Sequence, residues 1–440
     1  MRSQLNLIAE NVRCFYGKHI VPIRPLTLLV GENSSGKSSL LAMISALSDP
    51  RSFPFQPRFN DPPYSLGGFS TIATHGSRYV QQRKAKAGGI SSFSIGFLNA
   101  LSDSGTAETV ASYGNDRGEA VLIDLKVKSP KGTVSATRKP PGNFKVCLSG
   151  PGLADFSFEM QSVFDSRPGL EPSEGGFHML YRELVADEAD KIHSDQHVFA
   201  RRIRRIIAQL ELPPPTISIG PTRMRPQRTY DRVTEDFTPE GNQIPFVLAR
   251  MLSDTNDPGT RRSFLAAFKR FGVESGLLTD IAIRSLGDTP GDPFQVMIAV
   301  AGRPATLVDV GYGVSQALPV VVQSILAASD KMLLIQQPEV HLHPRAQAAL
   351  GSFFVEIVAK ANKRLVVETH SDYIIDRIRQ DIAAGKIDAE DVVFLYLERR
   401  GFKTKVFPLT TDELGNLNGA PPSYREFFLR ETMNLLGRGE

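Results

Sequence analysis

The sequence predicts an α/β fold: a parallel or mixed sheet drawn from both ends of the chain, with an antiparallel β lobe and a helical insertion between them. Three observations lead there. The apolar run Leu26-Thr27-Leu28-Leu29-Val30 passes directly into a glycine-rich turn and an apolar helix over residues 38–47. Two further apolar runs, Met332-Leu333-Leu334-Ile335 and Arg364-Leu365-Val366-Val367, are each followed by helical spacing. Between these ends the pattern changes: residues 120–128 partly alternate, while residues 177–212 carry Leu180, Leu184, Val185, Ile192, Phe199, Ile203, Ile206 and Ile207 at helical intervals until Pro213-Pro214-Pro215 stops them.

In chain order, residues 5–30 read as strands and residues 50–76, rich in Pro, Gly and Phe, as loop. Residues 90–160 read as antiparallel strands with a turn at Pro130-Lys131-Gly132. A strand at 216–219 enters Gly220-Pro221-Thr222-Arg223, and residues 243–275 form two helices broken at 254–259. Strands over 278–308 surround a turn at 288–292, and a long helix follows over 314–328. Helices at 344–360 and 373–382 and short strands at 392–397 and 404–408 complete the chain. The resulting division is 1–75 for the first part of the sheet domain, 76–170 for the β lobe, 171–290 for the mainly helical insertion and 291–440 for the rest of the sheet domain. There is no internal repeat, and the insertion lacks the sustained heptads of a coiled-coil arm.

The 440 residues are 41% hydrophobic and 22% charged, an ordinary globular balance for two or three domains. Two cysteines far apart, Cys14 and Cys147, fit a reducing compartment and give no metal-ligand spacing. No long apolar start and no run of about 18 apolar residues is present, so the expectation is a cytoplasmic protein with neither leader nor membrane span. A net charge of +4 is compatible with nucleic-acid binding without requiring it.

Gly31-Glu32-Asn33-Ser34-Ser35-Gly36-Lys37-Ser38 fits G-x-x-x-x-G-K-[ST], with Ser39 next, a strand before it and a helix after it. Phosphate oxygens need many short-range donors. Glycines let the backbone N–H groups curl around them, and the helix N-terminus adds its dipole. Lys37 is placed to reach the β/γ-phosphates of ATP and the Ser38 hydroxyl to ligate Mg²⁺. A chance glycine turn would lack the flanking strand and helix.

Three later segments define the kind of nucleotide site. Leu333-Leu334-Ile335-Gln336-Gln337-Pro338-Glu339-Val340-His341-Leu342-His343-Pro344 is an apolar strand ending where a Walker B motif places two acids, one holding Mg²⁺ through water and the next polarising the attacking water. Val366-Val367-Glu368-Thr369-His370-Ser371 is a strand ending in a histidine, a candidate neighbour of the γ-phosphate. Asp309-Val310-Gly311-Tyr312-Gly313-Val314-Ser315-Gln316 opens the long helix with glycines, a second backbone anion site.

On these motifs, with Gly220-Pro221-Thr222-Arg223 in the same order, the sequence resembles the OLD/RecF-like AAA ATPases of the ABC/SMC superfamily. The resemblance implies an ABC-type ATPase head that closes as a homodimer or higher oligomer with ATP between heads. Gly313, Ser315 and Gln316 of one head would then approach the partner's γ-phosphate. A Q-loop equivalent would lie near Phe69-Ser70-Thr71.

One departure matters. Members of that group usually carry Glu-Glu or Glu-Gln before Pro-Glu, and here both positions are glutamine, Gln336 and Gln337. A glutamine amide is not a base and is a weak partner for Mg²⁺, and loss of a general base costs about 10²–10⁴-fold in rate. The expectation is ATP binding with slow or absent hydrolysis, either because the site is naturally weak or because a glutamate at 336 was replaced to trap the ATP-bound state.

Smaller signals have two readings each. His341 and His343 beside Glu339 are either structural or part of a metal site that needs a third ligand. Arg201, Arg202, Arg204 and Arg205 are a solvated face or a nucleic-acid contact. Arg223, Arg225 and Arg228 pair with local acids or meet phosphate or a partner, and the acidic run at 183–190 reads as a solvated helix face.

Nucleases of the OLD group end in a Toprim domain, and the stretch after Ile378 is too short for one. The resemblance to ATPases of two-component antiphage systems of the Septu and PARIS kind implies an ATPase controlling a separate nuclease or toxin. The alternatives are a RecF-like DNA-repair ATPase and a scaffold that binds ATP without cycling.

Overall fold

The computed structural model describes residues 5–50, 52–74, 92–101, 105–140, 143–151, 156–160, 202–203, 205–210, 212–231, 237–253, 257–289, 291–424, 426, 430 and 433–434. The helical pattern over 177–201, the arginines at 201 and 204 and the acidic run at 183–190 lie outside the described residues.

The chain divides into two compact units. The first comprises Met1–Ile23, Asn33–Pro215 and Leu397–Val406, and the second Arg24–Glu32, Thr216–Tyr396 and Phe407–Glu440. The first holds an eight-stranded antiparallel sheet of β1 (Leu5–Val12), β2 (Phe15–Ile23), β4 (Ser92–Ala100), β5 (Thr106–Asp116), β6 (Glu119–Ser129), β7 (Gly132–Lys139), β8 (Asn143–Ser149) and β9 (Phe156–Met160). Their order is β2-β1-β4-β5-β6-β7-β8-β9. Along β5 and β7 buried and half-buried residues alternate, as in a sheet with one face more covered than the other. The β5–β6 turn places Arg117 and Gly118 at φ 52° and 96°, the left-handed pair that a tight hairpin demands. Phe59, Phe93 and Tyr113 fill this core, with Phe93 and Tyr113 stacked at 5.3 Å, and the Tyr113 hydroxyl donates to Pro54 O at 2.7 Å. Helix α1 (Lys37–Leu47) is almost wholly buried. A single helical turn, α2 (Phe69–Ile72), sits in the stretch that reads as loop. It is too short for periodicity to betray it, and its supports are local and tertiary: Thr71 Oγ1 donates to Leu66 O, and Phe69 N to Gly118 O.

The second unit is built on a seven-stranded sheet that also contains β3 (Leu26–Gly31), β10 (Thr216–Ile219), β14 (Met332–Gln336), β15 (Arg364–Glu368), β16 (Val392–Arg400), β17 (Lys403–Thr411) and β18 (Leu417–Asn418). Their order is β10-β14-β15-β3-β16-β17-β18, and β10, β14, β15 and β3 are parallel. Strands β3, β14 and β15 are mostly buried, the mark of a parallel sheet covered on both faces. Among the described residues the helices here are α3 (Ile244–Ser253), α4 (Pro258–Ser275), α5 (Tyr312–Leu326), α6 (Pro344–Ala361) and α7 (Asp372–Ala383). A small antiparallel sheet joins β11 (Asp280–Ser285), β12 (Phe294–Val300) and β13 (Arg303–Thr306). One apolar core runs from Leu28 through Phe268, Phe294, Leu318 and Phe354 to Ile378.

The helices lie within a few residues of the sequence boundaries because their caps are written in the chain. Asp257 accepts from Thr260 N at the start of α4, and Ser371 accepts from Ile374 N at the start of α7. Strands β16 and β17 run longer than the apolar pattern suggests, since their facing ends carry Glu398, Arg399, Arg400 and Lys403, and the chain reverses at Gly401 with φ 65°.

Candidate functional site

The glycine-rich loop leaves the C-terminal end of β3. Gly31 and Gly36 have φ 144° and 101°, and Ser34 also adopts a left-handed φ of 61°. Glycine is required at 36, where an added Cβ would come within 2.6 Å of Cys14 Sγ. In the first unit the loop is pinned from behind: Thr404 Oγ1 donates to Ser35 O at 2.7 Å, and Thr404 N donates to Cys14 O at 2.8 Å. Burial pushes the Cys14 thiol above its usual range. Ser35 Oγ is buried with no protein partner, Lys37 opens α1 and is buried, and Asn33, Ser34 and Ser38 are exposed. Ser39 is buried one residue further on. Gly36, the residue before α1, has no side chain with which to cap the helix.

In the second unit the parallel strands end side by side. Gln336 pairs with Glu368, and Glu368 with Leu29, so the ends of β14, β15 and β3 form one edge, with β15 between the other two. Ligands of open α/β sheets bind at this carboxyl edge. Gln336 is buried, and its Nε2 donates to Glu368 Oε2 at 3.2 Å while its Oε1 meets no protein partner. Gln337 takes a left-handed φ of 43° and donates its N–H to Glu368 O at 2.8 Å. Arg223 holds the same turn: its Nη2 donates to Gln336 O at 2.7 Å and to Gln337 O at 2.9 Å. Burial lowers the Arg223 guanidinium to about 10 although the nearby Glu339 carboxylate opposes this.

Glu339 ties the end of β14 to the loop after β15. Its Oε1 accepts from His370 N at 2.7 Å and its Oε2 from Thr369 Oγ1 at 2.9 Å. Burial pushes the Glu339 carboxyl up, against the pull of those hydrogen bonds and of Arg223. His370 itself is exposed at the edge.

The glycine-led helix α5 stands beside the His341 loop. Gly313 lies against that loop so closely that a Cβ would meet His341 O at 2.8 Å. Ser315 is buried and turns its hydroxyl back to Tyr312 O at 2.8 Å, and Gln316 is buried with Nε2 unpartnered. His341 packs edge-on against Tyr312 at 4.9 Å, and His343 Nδ1 caps α6 by accepting from Arg345 N at 3.3 Å. Among the described residues no cluster of three His, Cys, Asp or Glu could hold a metal ion.

Similarity to known proteins adds a further observation here. Residues 228–375 match the model of the AAA ATPase domain family AAA_15. The matched third of the chain contains α5, the Gln336-Gln337 strand and His370, and stops short of the phosphate loop on its N-terminal side. No curated protein sequence matches the chain. Similar solved structures include an SMC head bound to the C-terminal winged-helix domain of ScpA, with 12% identity, 92% of this chain and 97% of that chain covered and a TM-score of 0.45. The SMC head domain from Thermotoga maritima gives 11% identity, coverage of 93% and 99%, and a TM-score of 0.42. An SMC head with an extended coiled coil, bound to the C-terminal domain of ScpA derived from Pyrococcus furiosus, gives 11% identity, 99% coverage of both chains and a TM-score of 0.41.

The structure brings Gln336, Gln337 and His370 to one sheet edge, sets Gly313 beside the His341 loop, and turns the Ser315 hydroxyl into its own helix. Three members of the edge are absent from the list that the motifs give: Glu368, Arg223 in its role as a carbonyl clamp, and Glu339 as the tie to His370. The Glu-Thr-His-Ser segment draws attention to its histidine, while the register that sets Glu368 beside Gln336 exists only once the strands pair. Arg228, by contrast, forms an exposed two-pronged ion pair with Asp309, the bland reading of that arginine.

Proposed function

We propose that this chain is an ABC/SMC-type ATPase head that binds ATP with Mg²⁺ on the loop from Gly31 to Ser38. The observation that carries this reading is the loop itself: positive-φ glycines at 31 and 36, a carbonyl pinned from behind by Thr404, and a helix that starts directly at Lys37. The AAA ATPase match over the opposite half of the motif set supports it independently. On this loop the Ser38 hydroxyl is an oxygen donor of the kind Mg²⁺ takes. Bound Mg²⁺ would neutralise charge developing on the β- and γ-phosphate oxygens.

Hydrolysis is slow in this reading because neither Gln336 nor Gln337 can accept a proton, and both oxygens of Glu339, the glutamate that follows them in the motif, are already engaged. ATP closes two heads into a homodimer or larger assembly, with Gly313 and the start of α5 facing the partner's nucleotide. The closed state controls a separate effector, a nuclease or toxin of bacterial antiphage defence, in the cytoplasm. Among the described residues no helix is long and apolar enough to cross a membrane. Purification with ATP and Mg²⁺ from the native operon tests this: a co-purifying effector and an ATP-dependent shift to dimer are expected, and a monomer indifferent to ATP would oppose it.

A RecF-like role on DNA is the second reading. Arg202 and Arg205 are exposed while Ile203 and Ile206, each one residue further on, are buried, which presents the cations on one face. Salt-dependent DNA binding by the isolated chain would favour that reading. A scaffold that never cycles would keep its assembly unchanged in Lys37→Ala.

A further inference from the structure

We propose that the first unit carries a binding surface for single-stranded nucleic acid, built from the rings of Tyr16 and Phe402 and the cations Lys403, Arg399 and Lys405. This surface needs no bound ATP. It extends the nucleic-acid reading above to residues other than Arg202 and Arg205, and to strands without a complement.

Two segments build it, and both belong to the first unit. Strand β2, at the end of its sheet, exposes Tyr16, Lys18 and Ile20, alternate residues that leave one face of the strand. Tyr16 is 44% exposed and Ile20 52%. The turn from β16 to β17 adds Phe402, 54% exposed. Turn and strand are joined by their main chains, with Thr404 N donating to Cys14 O at 2.8 Å. Lys403 Nζ stands 4.1 Å from the centroid of the Tyr16 ring and 5.6 Å from that of Phe402, so one ammonium reaches both rings. Along β17, Lys403 and Lys405 are exposed on either side of the buried Thr404.

The charge is one-sided. From Leu397 to Val406 the chain carries Arg399, Arg400, Lys403 and Lys405 against one acid, Glu398, which pairs with Arg400. Residues 13–20 carry Arg13 and Lys18 and no acid, and Lys18 pairs with Glu108 from β5. Burial raises the Cys14 thiol while the charges of Arg13 and Arg399 act to lower it, so Arg399 stands within electrostatic reach of the β2 end.

Single exposed apolar side chains are ordinary, but two rings sharing a lysine inside a cationic patch fit one chemistry better than others. Unpaired bases stack on aromatic rings while the phosphates beside them meet lysine and arginine. A duplex keeps its base faces inside the helix and offers the rings nothing. An acidic peptide would meet the cations and leave the rings in water. The lysine–ring contact is weak at an exposed site, so Lys403 can exchange the Tyr16 ring for a phosphate.

The test is fluorescence anisotropy of the full chain, without ATP, with labelled oligo(dT) and oligo(U) of roughly twenty nucleotides, longer than one stacking site, and with a DNA duplex of equal length. At least one single strand is expected to bind more tightly than the duplex. Phe402→Ala should weaken that binding by roughly tenfold, one lost stacking contact, with its salt dependence unchanged. Lys403→Gln should weaken it and lower the slope of log K against log salt by about 0.7, one phosphate contact on a single strand. Both side chains are exposed, so neither variant threatens the fold. Single strands binding no better than the duplex would overturn the proposal. Variants that bind like the unchanged protein would overturn it too, while leaving nucleic-acid binding through other residues intact. Binding to phosphatidylserine vesicles with no binding to either oligonucleotide would give the surface to a membrane and equally overturn it. None of these outcomes touches the ATP reading.

Discussion

The Glu339 carboxylate holds His370 by its main chain, accepting the His370 N–H at 2.7 Å from across the gap between two strand ends. Its other oxygen takes the Thr369 hydroxyl, and Arg223 lies close enough to favour its charged form. A glutamate that sequence spacing places beside two histidines is therefore a brace for the loop that presents His370. Glu339→Ala removes two hydrogen bonds and leaves the buried Arg223 cation without its neighbouring anion. A loss of about 2–4 kcal/mol in stability is expected, from the cost of stripping a partner from buried polar and charged groups. Urea denaturation of the variant checks this, and a change under about 0.5 kcal/mol, the range of an ordinary surface substitution, would show that Glu339 braces nothing.

Arg223 clamps the turn that carries Gln336 and Gln337. One guanidinium nitrogen spans both carbonyls, and Gln337 is held at a φ of 43°, which a residue with a side chain adopts only when its surroundings insist. Arg223→Met keeps most of the apolar stem and removes both donations. It is expected to cost about 2–3 kcal/mol in stability, two lost charge-assisted bonds less the relief of a buried cation. ATP affinity should weaken with it. Calorimetric unfolding and nucleotide titration of the same preparation provide the check. Unchanged values in both would mean that the turn keeps its shape unaided.

Lys363 closes the far end of α5, donating from Nζ to Ser324 O at 2.9 Å and to Ile325 O at 2.5 Å. Cations suit a helix C-terminus, but burial lowers this ammonium from 10.5 to about 8. The sign follows from proton binding. Between those two values the unfolded chain holds the proton and the folded chain has released it, so stability contributed by this group rises with pH across the window. The difference in unfolding free energy between the unchanged protein and Lys363→Met should therefore grow in favour of the unchanged protein from pH 8 to pH 10. Denaturant titrations at several pH values measure it, and a flat or falling difference would contradict the assignment.

Much of this molecule can be read from its residues. The strand before the phosphate loop, the capped helices at Asp257 and Ser371 and the apolar runs at 332–335 and 364–367 all follow local rules, because their periodicity and end signals lie within a few residues of one another. What could not be read depends on pairing. That β15 lies between β14 and β3, and that Glu368 consequently faces Gln336, is a property of the sheet and of no single segment. Arg223 belongs to a recognisable Gly-Pro-Thr-Arg stretch, yet its targets are main-chain carbonyls more than a hundred residues away. The α2 turn was hidden for a different reason: four residues give no period, and contacts from Leu66 and Gly118 create it.

Binding of ATP to the loop around Lys37 is the claim on which the rest depends, and titration of the full chain with a fluorescent ATP analogue in Mg²⁺ measures it directly. Micromolar or tighter binding is expected in the unchanged protein, with a loss of at least roughly a hundredfold in Lys37→Ala, the worth of about 2.7 kcal/mol of lysine–phosphate contact. Equal affinity in the two proteins, or no binding in either, would contradict it.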